Sequence, residues 1–83
     1  MTPHPTLRTR LDAIIRRVPD FPKPGIVFRD ITPLLGDPAT YRETVMAMAA
    51  PWREAGLTHV VGIESRGFLF GAPLALALEL PFV

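Results

Sequence analysis

No cysteine occurs anywhere in the 83 residues. A disulfide framework and thiolate chemistry are therefore excluded, and the expected setting is reducing and cytoplasmic. Histidine is scarce as well: His4 and His59 lie far apart and lack ligand spacing, so no structural zinc site is expected. Lysine and arginine are scattered and the net charge is only +1, which leaves no dense basic face for nucleic acid. Met1-Thr2-Pro3-His4-Pro5 lacks the apolar centre of a secretory signal. There is no internal repeat and no low-complexity tract. The one long apolar run, Gly67 to Val83, falls short of the roughly 20 residues of a membrane span and contains Pro73, Glu79 and Pro81. It reads as a helix buried between a sheet and its neighbours, with no membrane partner.

What the chain does have is apolar material, 48% of its residues. A chain this short buries only about 60–65% of the surface its unfolded form exposes, so much of that material would stay wet. Pro81-Phe82-Val83 looks like the opening of another strand. The expectation is the front part of a larger domain.

The organising stretch is Val60-Val61-Gly62-Ile63-Glu64-Ser65-Arg66-Gly67-Phe68-Leu69-Phe70-Gly71. A β-branched run ends in an acid, a hydroxyl, a guanidinium and a glycine, and an apolar helical segment follows. Strand, polar turn and helix in that order build anion sites at the carboxyl ends of parallel strands. The N–H groups opening a helix lack intrahelical partners and the macrodipole is positive there, which suits phosphate. Arg66 adds a planar charge fitted to bidentate contact with phosphate oxygens. A surface turn in which Arg66 pairs with Glu64 is the plainer reading, and the pattern alone leaves both open.

From the start of the chain, Leu7, Leu11, Ile14, Ile15 and Val18 fall at helical spacing, with Thr6 placed to cap and Arg16 and Arg17 in the last turn. Pro19 ends that helix. The segment 19–25 holds three prolines and a glycine and is a stiff loop. Ile26 to Ile31 is extended, with Val27, Arg29 and Ile31 on one side and Ile26, Phe28 and Asp30 on the other. Phe28 is either plain core or a ring available to stack on a flat ligand. Thr32 to Gly36 is a turn. Asp37 caps a helix with Pro38 at its first position, and Tyr41, Val45, Met48 and Trp52 share a core face. Pro51 should kink or end that helix, and Gly56 is the cap candidate. Thr58 to Ile63 is a strand covered on both faces. The last helix starts near Ser65 and bends at Pro73, or starts near Ala72.

Three blocks together resemble the adenine phosphoribosyltransferase family: Pro19-Asp20-Phe21-Pro22, Pro24-Gly25-Ile26-Val27-Phe28-Arg29-Asp30-Ile31-Thr32-Pro33-Leu34-Leu35, and Gly62 to Gly71. They come in the family's order and spacing, and the resemblance runs from about Ile15 to the end. It implies an α/β chain, the N-terminal portion of a type I phosphoribosyltransferase fold: a mainly parallel sheet flanked by helices, with a hood segment. The implied divisions are an N-terminal helix over 6–18, a hood and base-binding segment over 19–36, and the start of the core over 37–83 with a pyrophosphate loop at 64–67.

The implied reaction is purine salvage, adenine plus phosphoribosyl pyrophosphate giving AMP and pyrophosphate. Mg2+ accompanies phosphoribosyl pyrophosphate, and the full-length protein is a cytoplasmic homodimer. By resemblance, Phe28 stacks on adenine, and the backbone groups of Val27 and Arg29 meet its edge. Glu64, Ser65, Arg66 and Gly67 hold pyrophosphate, with a cis peptide expected between Glu64 and Ser65. No catalytic side chain and no metal ligand is expected in this stretch. The family's later basic segment, its catalytic loop, and the strand-loop with paired aspartates and a Thr-Gly turn do not occur in the 83 residues. The chain is therefore expected to be inactive alone. A relative using another purine, a non-catalytic effector-binding module on the same fold and an unfolded fragment are the alternatives.

Overall fold

The computed structural model describes residues 4–83, with side chains from Leu7 onward. The Thr6 cap lies outside the described side chains. Helix α1 (His4–Ile14) leads into strand β1 (Arg16–Pro19), and strand β2 (Val27–Asp30) leads into the one-turn helix α2 (Thr32–Leu35). Helix α3 (Pro38–Ala49) is followed by a 3-10 turn (Ala50–Trp52), and helix α4 (Arg66–Leu78) lies near the end. The chain separates into two compact units, Met1–Arg42 and Glu43–Val83.

In the first unit the expected helix over 6–18 is corrected. α1 ends at Ile14, and the Ile15 N–H makes a last helical bond to the Leu11 carbonyl at 2.9 Å. Arg16 to Pro19 instead pairs antiparallel with β2, Arg16 opposite Asp30 and Val18 opposite Phe28. The apolar spacing that suggested one long helix ends in Ile14, Ile15 and Val18, β-branched residues that suit a pleated surface once a partner strand is present. A non-local hairpin overrides local periodicity here. Residues 32–35, read as a turn, close one helical turn with Gly36 at its end. Leu7 and Leu34 are buried in this unit.

Asp37 precedes α3 as expected, and the Thr40 hydroxyl donates to its carboxylate at 2.9 Å. The α-helical winding gives way to the 3-10 turn after Ala49, and Pro51 within that turn supplies no N–H to continue the ladder. That break moves Trp52 off the expected stripe. Val45 and Ala49 are buried, whereas Met48 and Trp52 are exposed.

The second unit is built as strand, turn, helix and strand. The Val60 N–H donates to Pro81, the Val83 N–H to Val60 and the Gly62 N–H to Val83, at 2.9–3.0 Å. Val60 and Phe82 form a parallel bridge around the α4 crossover. The expected strand over 58–63, covered on both faces, is thus a minimal parallel pair. Val60 is buried, but Val61 and Ile63 are 70% and 81% exposed, because alternate side chains leave by the other face. α4 begins at Arg66 and contains Pro73, which decides between the two expected starts. No helix among the described residues is long and apolar enough to cross a membrane.

Candidate functional site

The first candidate segment is the hairpin. Its register puts Arg16, Val18, Phe28 and Asp30 on one face and Val27 and Arg29 on the other. Phe28 is half-buried, while Val27 and Arg29 are exposed. Val18, Phe21, Phe28, Arg16 and Asp30 line an almost wholly apolar cleft of about 170 Å³. The Phe21 and Phe28 rings meet edge to face, with centroids 5.3 Å apart. Asp20 stands at φ 56° and Gly25 at φ 86°, and the Gly25 N–H donates to the Asp20 carboxylate at 2.9 Å. Phe21 is held into the hairpin by its own N–H, which donates to the Ile26 carbonyl at 3.1 Å. Beyond the cleft, β2 is an edge strand among the described residues, so alternate N–H and C=O groups face outward from it.

One end of the cleft is polar. Arg16 Nη2 donates to Asp30 Oδ2 at 2.7 Å. The Thr32 N–H and hydroxyl both donate to Asp30 Oδ1, at 3.0 and 2.8 Å. The Thr32 N–H, then its hydroxyl, with Arg16 adding to them, hold the Asp30 carboxyl below its ordinary value of 3.8.

The second candidate segment is the turn 64–67. The peptide between Glu64 and Ser65 is cis, as expected, and so is that between Phe21 and Pro22. Ser65 is the residue before α4, and its hydroxyl makes no capping bond. Glu64, Ser65 and Arg66 are exposed and Gly67 is half-buried. A side chain at Gly62 would place its Cβ 3.1 Å from the Gly67 carbonyl oxygen, so the strand end and the first turn of the helix run in backbone contact. This turn thus presents three polar side chains at the positive end of a 13-residue helix.

The structure keeps Val27, Phe28 and Arg29 together on β2, and Glu64 to Gly67 together in one turn. Sequence reasoning passed over two residues. Phe21 was read as part of a stiff loop and of the first resemblance block, with no ring partner, and Phe82 only as strand. Gly62 and Gly71 were the available signal for Phe82, since a residue without a Cβ leaves room for the close approach of a ring. No group of three or more His, Cys, Asp or Glu residues that could hold a metal ion occurs among the described residues.

The β1–β2 hairpin, α3 and the parallel bridge around α4, in this order, match the N-terminal portion of the type I phosphoribosyltransferase fold. No protein-family profile matches the chain. More particularly, it matches the N-terminal part of adenine phosphoribosyltransferases. It is 59% identical over 78 residues to that of Myxococcus xanthus (strain DK1622), a match covering 94% of this chain and 42% of that one. It is 64% identical over 66 residues to that of an Anaeromyxobacter species (strain Fw109-5), covering 80% and 37% respectively. The crystal structure of adenine phosphoribosyltransferase from Rhodothermus marinus gives a TM-score of 0.84 at 51% identity, over 95% of this chain and 45% of that one. The Saccharomyces cerevisiae enzyme, complexed with an imino-altritol bisphosphate and adenine, gives 0.87 at 36% identity, over 95% and 49%. The chain spans about two-fifths of the length of the curated relatives it matches.

Proposed function

We propose that this chain supplies the base-binding and diphosphate-binding segments of an adenine phosphoribosyltransferase, which joins adenine to phosphoribosyl pyrophosphate and releases pyrophosphate. The observation that carries this reading is the turn Glu64-Ser65-Arg66-Gly67 at the start of α4, in a chain alike in sequence and fold to enzymes of that name.

In the reaction, a ring nitrogen of the base forms a bond to C1′ as the C1′–oxygen bond to diphosphate breaks, and the nitrogen's proton is released. Positive charge gathers on the sugar and negative charge on the departing diphosphate. Catalysis then rests on stabilising the leaving group and aligning the base. The Arg66 guanidinium and the N–H groups opening α4 supply donors for the diphosphate, with Ser65 adding a hydroxyl and Gly67 allowing close backbone approach. Phe28 supplies a stacking face, and the backbone groups of Val27 and Arg29 read the base edge. No nucleophilic side chain is needed. The described residues do not fit a dedicated magnesium cage. Magnesium therefore enters this reading with the diphosphate oxygens of the substrate, and no step depends on a metal held by this chain. In the complete protein, two copies pairing in the cytoplasm complete the reading.

The test is to purify the protein as its gene encodes it and separate the products formed from adenine, hypoxanthine, guanine and xanthine with phosphoribosyl pyrophosphate. AMP and pyrophosphate, formed from adenine in preference to the other bases, are the expected products. Failure to turn over adenine overturns the reading. The 83-residue chain alone is expected to give no turnover, because it lacks the paired-aspartate and Thr-Gly segment that grips the sugar phosphate in the family.

A further inference from the structure

The second unit contains an aromatic wedge directly behind the turn 64–67. Phe82 enters it from the strand after α4, on a backbone fixed by the Val60-to-Pro81 and Gly62-to-Val83 hydrogen bonds. Its ring occupies space that any side chain at Gly62 or Gly71 would need. A Cβ at Gly62 would lie 2.7 Å from Phe82 Cζ, and one at Gly71 would lie 2.6 Å from Cε1. Phe68, in the first turn of α4, meets the same ring at right angles with centroids 5.9 Å apart. One ring thus touches the strand that leads into the turn, the first turn of α4 and a site one turn further along it.

We infer that Phe82 is a positioning residue for the diphosphate loop. Packed against Gly62 and Gly71 at once, it fixes the angle at which α4 leaves the 60–62 segment, and through that the direction of the α4 N–H groups and the Arg66 stem. Gly62 and Gly71 are the seat that its ring requires. The arrangement is responsive to volume: removing the ring leaves a gap beside Gly62 and Gly71 into which α4 can tilt about the Gly62–Gly67 contact, while a methyl at Gly71 drives the ring out. An anion held by several converging donors is sensitive to such shifts, because a misplacement on the order of 1 Å can cost about 100-fold. The inference rests on the diphosphate-binding reading of residues 64–67.

The experiment is steady-state kinetics on the protein as its gene encodes it, comparing wild type with Phe82→Ala, Phe82→Leu and Gly71→Ala. Phe82→Ala is expected to raise KM for phosphoribosyl pyrophosphate by about 10-fold or more, leaving KM for adenine within about two-fold. Phe82→Leu restores apolar volume and recovers most of that loss, and Gly71→Ala moves the same KM in the same direction. If Phe82→Ala does not fold, the Leu and Gly71 variants carry the same selective expectation. An unchanged KM for phosphoribosyl pyrophosphate, or a parallel rise for both substrates, overturns the positioning role. A wild-type protein without transferase activity overturns the functional reading instead, so the two failures are distinguishable.

Discussion

The Phe21 and Phe28 rings meet in a T-shaped pair, with centroids 5.3 Å apart and planes 69° apart. That arrangement, which aromatic quadrupoles favour, braces Phe28 against a second ring. Phe21 in turn is tied to the hairpin through the bond from its N–H to Ile26. The base-stacking role proposed for Phe28 therefore has a support that can be tested separately.

Phe28→Ala is expected to raise KM for adenine by roughly 5- to 150-fold, the equivalent of the ~1–3 kcal/mol that a base-aromatic stack supplies. Phe21→Ala removes only an edge contact of ~0.5–1.5 kcal/mol and is expected to raise the same KM by about 2- to 12-fold. Steady-state kinetics at saturating phosphoribosyl pyrophosphate measures both. A larger effect for Phe21 than for Phe28 would show that the base lies elsewhere.

Arg66 tests the other half of the proposal. Arg66→Ala is expected to lower kcat/KM for phosphoribosyl pyrophosphate by about 100- to 1,000-fold, the usual cost of losing one donor aimed at developing charge. Arg66→Lys keeps the charge but loses the planar fork, so only part of that loss returns. Wild-type efficiency in both variants would show that Arg66 is an ordinary surface residue.

How far the sequence is legible depends on whether the deciding contact is local. The turn at 64–67 and the helix after it were readable, because β-branched residues, a polar turn and an apolar run are written consecutively there. Pro51 marked a break in the helix because it acts on its own turn, but α3 ends at Ala49, well short of the cap expected at Gly56. The hairpin was not readable from periodicity. Ile14 and Ile15 keep their helical place, but Val18 extends that stripe only on paper: it pairs with Phe28, ten residues downstream, a contact periodicity does not show. Trp52 misled for a related reason: the three-four rule holds only while the helix continues, and winding changes at Ala50. The contacts of Phe82 were not legible in sequence, because the space left by Gly62 and Gly71 exists only once the 60–62 segment and α4 are packed.

Asp30 gives the hairpin a pH dependence. Its carboxyl, depressed chiefly by the Thr32 N–H and hydroxyl with Arg16 assisting, titrates lower in the folded chain than in the unfolded one. The unfolded state then binds more protons in that range, so this contribution is fully present above about pH 4 and is lost as pH falls through the depressed value. Asp30→Asn cannot ionise. The Tm advantage of the wild type over Asp30→Asn is expected to shrink as the pH is lowered below the ordinary carboxylate range, and a difference that stays constant on acidification until both proteins unfold would count against the assignment.

Glu79 ends α4 at φ 57° and ψ 45°, in the left-handed region that a residue with a Cβ enters at a cost. The position is held by two bonds of a Schellman-type cap: the Leu80 N–H donates to Ala75 at 2.9 Å and the Glu79 N–H to Leu76 at 3.1 Å. A second penalty adds to the first, because the Glu79 carboxylate sits at the negative end of the helix dipole. Glu79→Gly removes both and is expected to stabilise the protein by about 1 kcal/mol, read as a rise in Tm. The two causes separate in the series. Glu79→Gln removes only the charge and should give the smallest gain, while Glu79→Asn also tolerates the left-handed region and should fall between Gln and Gly. Thermal melting of the four proteins at low and high salt measures it. The charge component should fade as salt rises and the backbone component should persist, and a Gly variant no more stable than Gln would show that the left-handed cap carries no cost here.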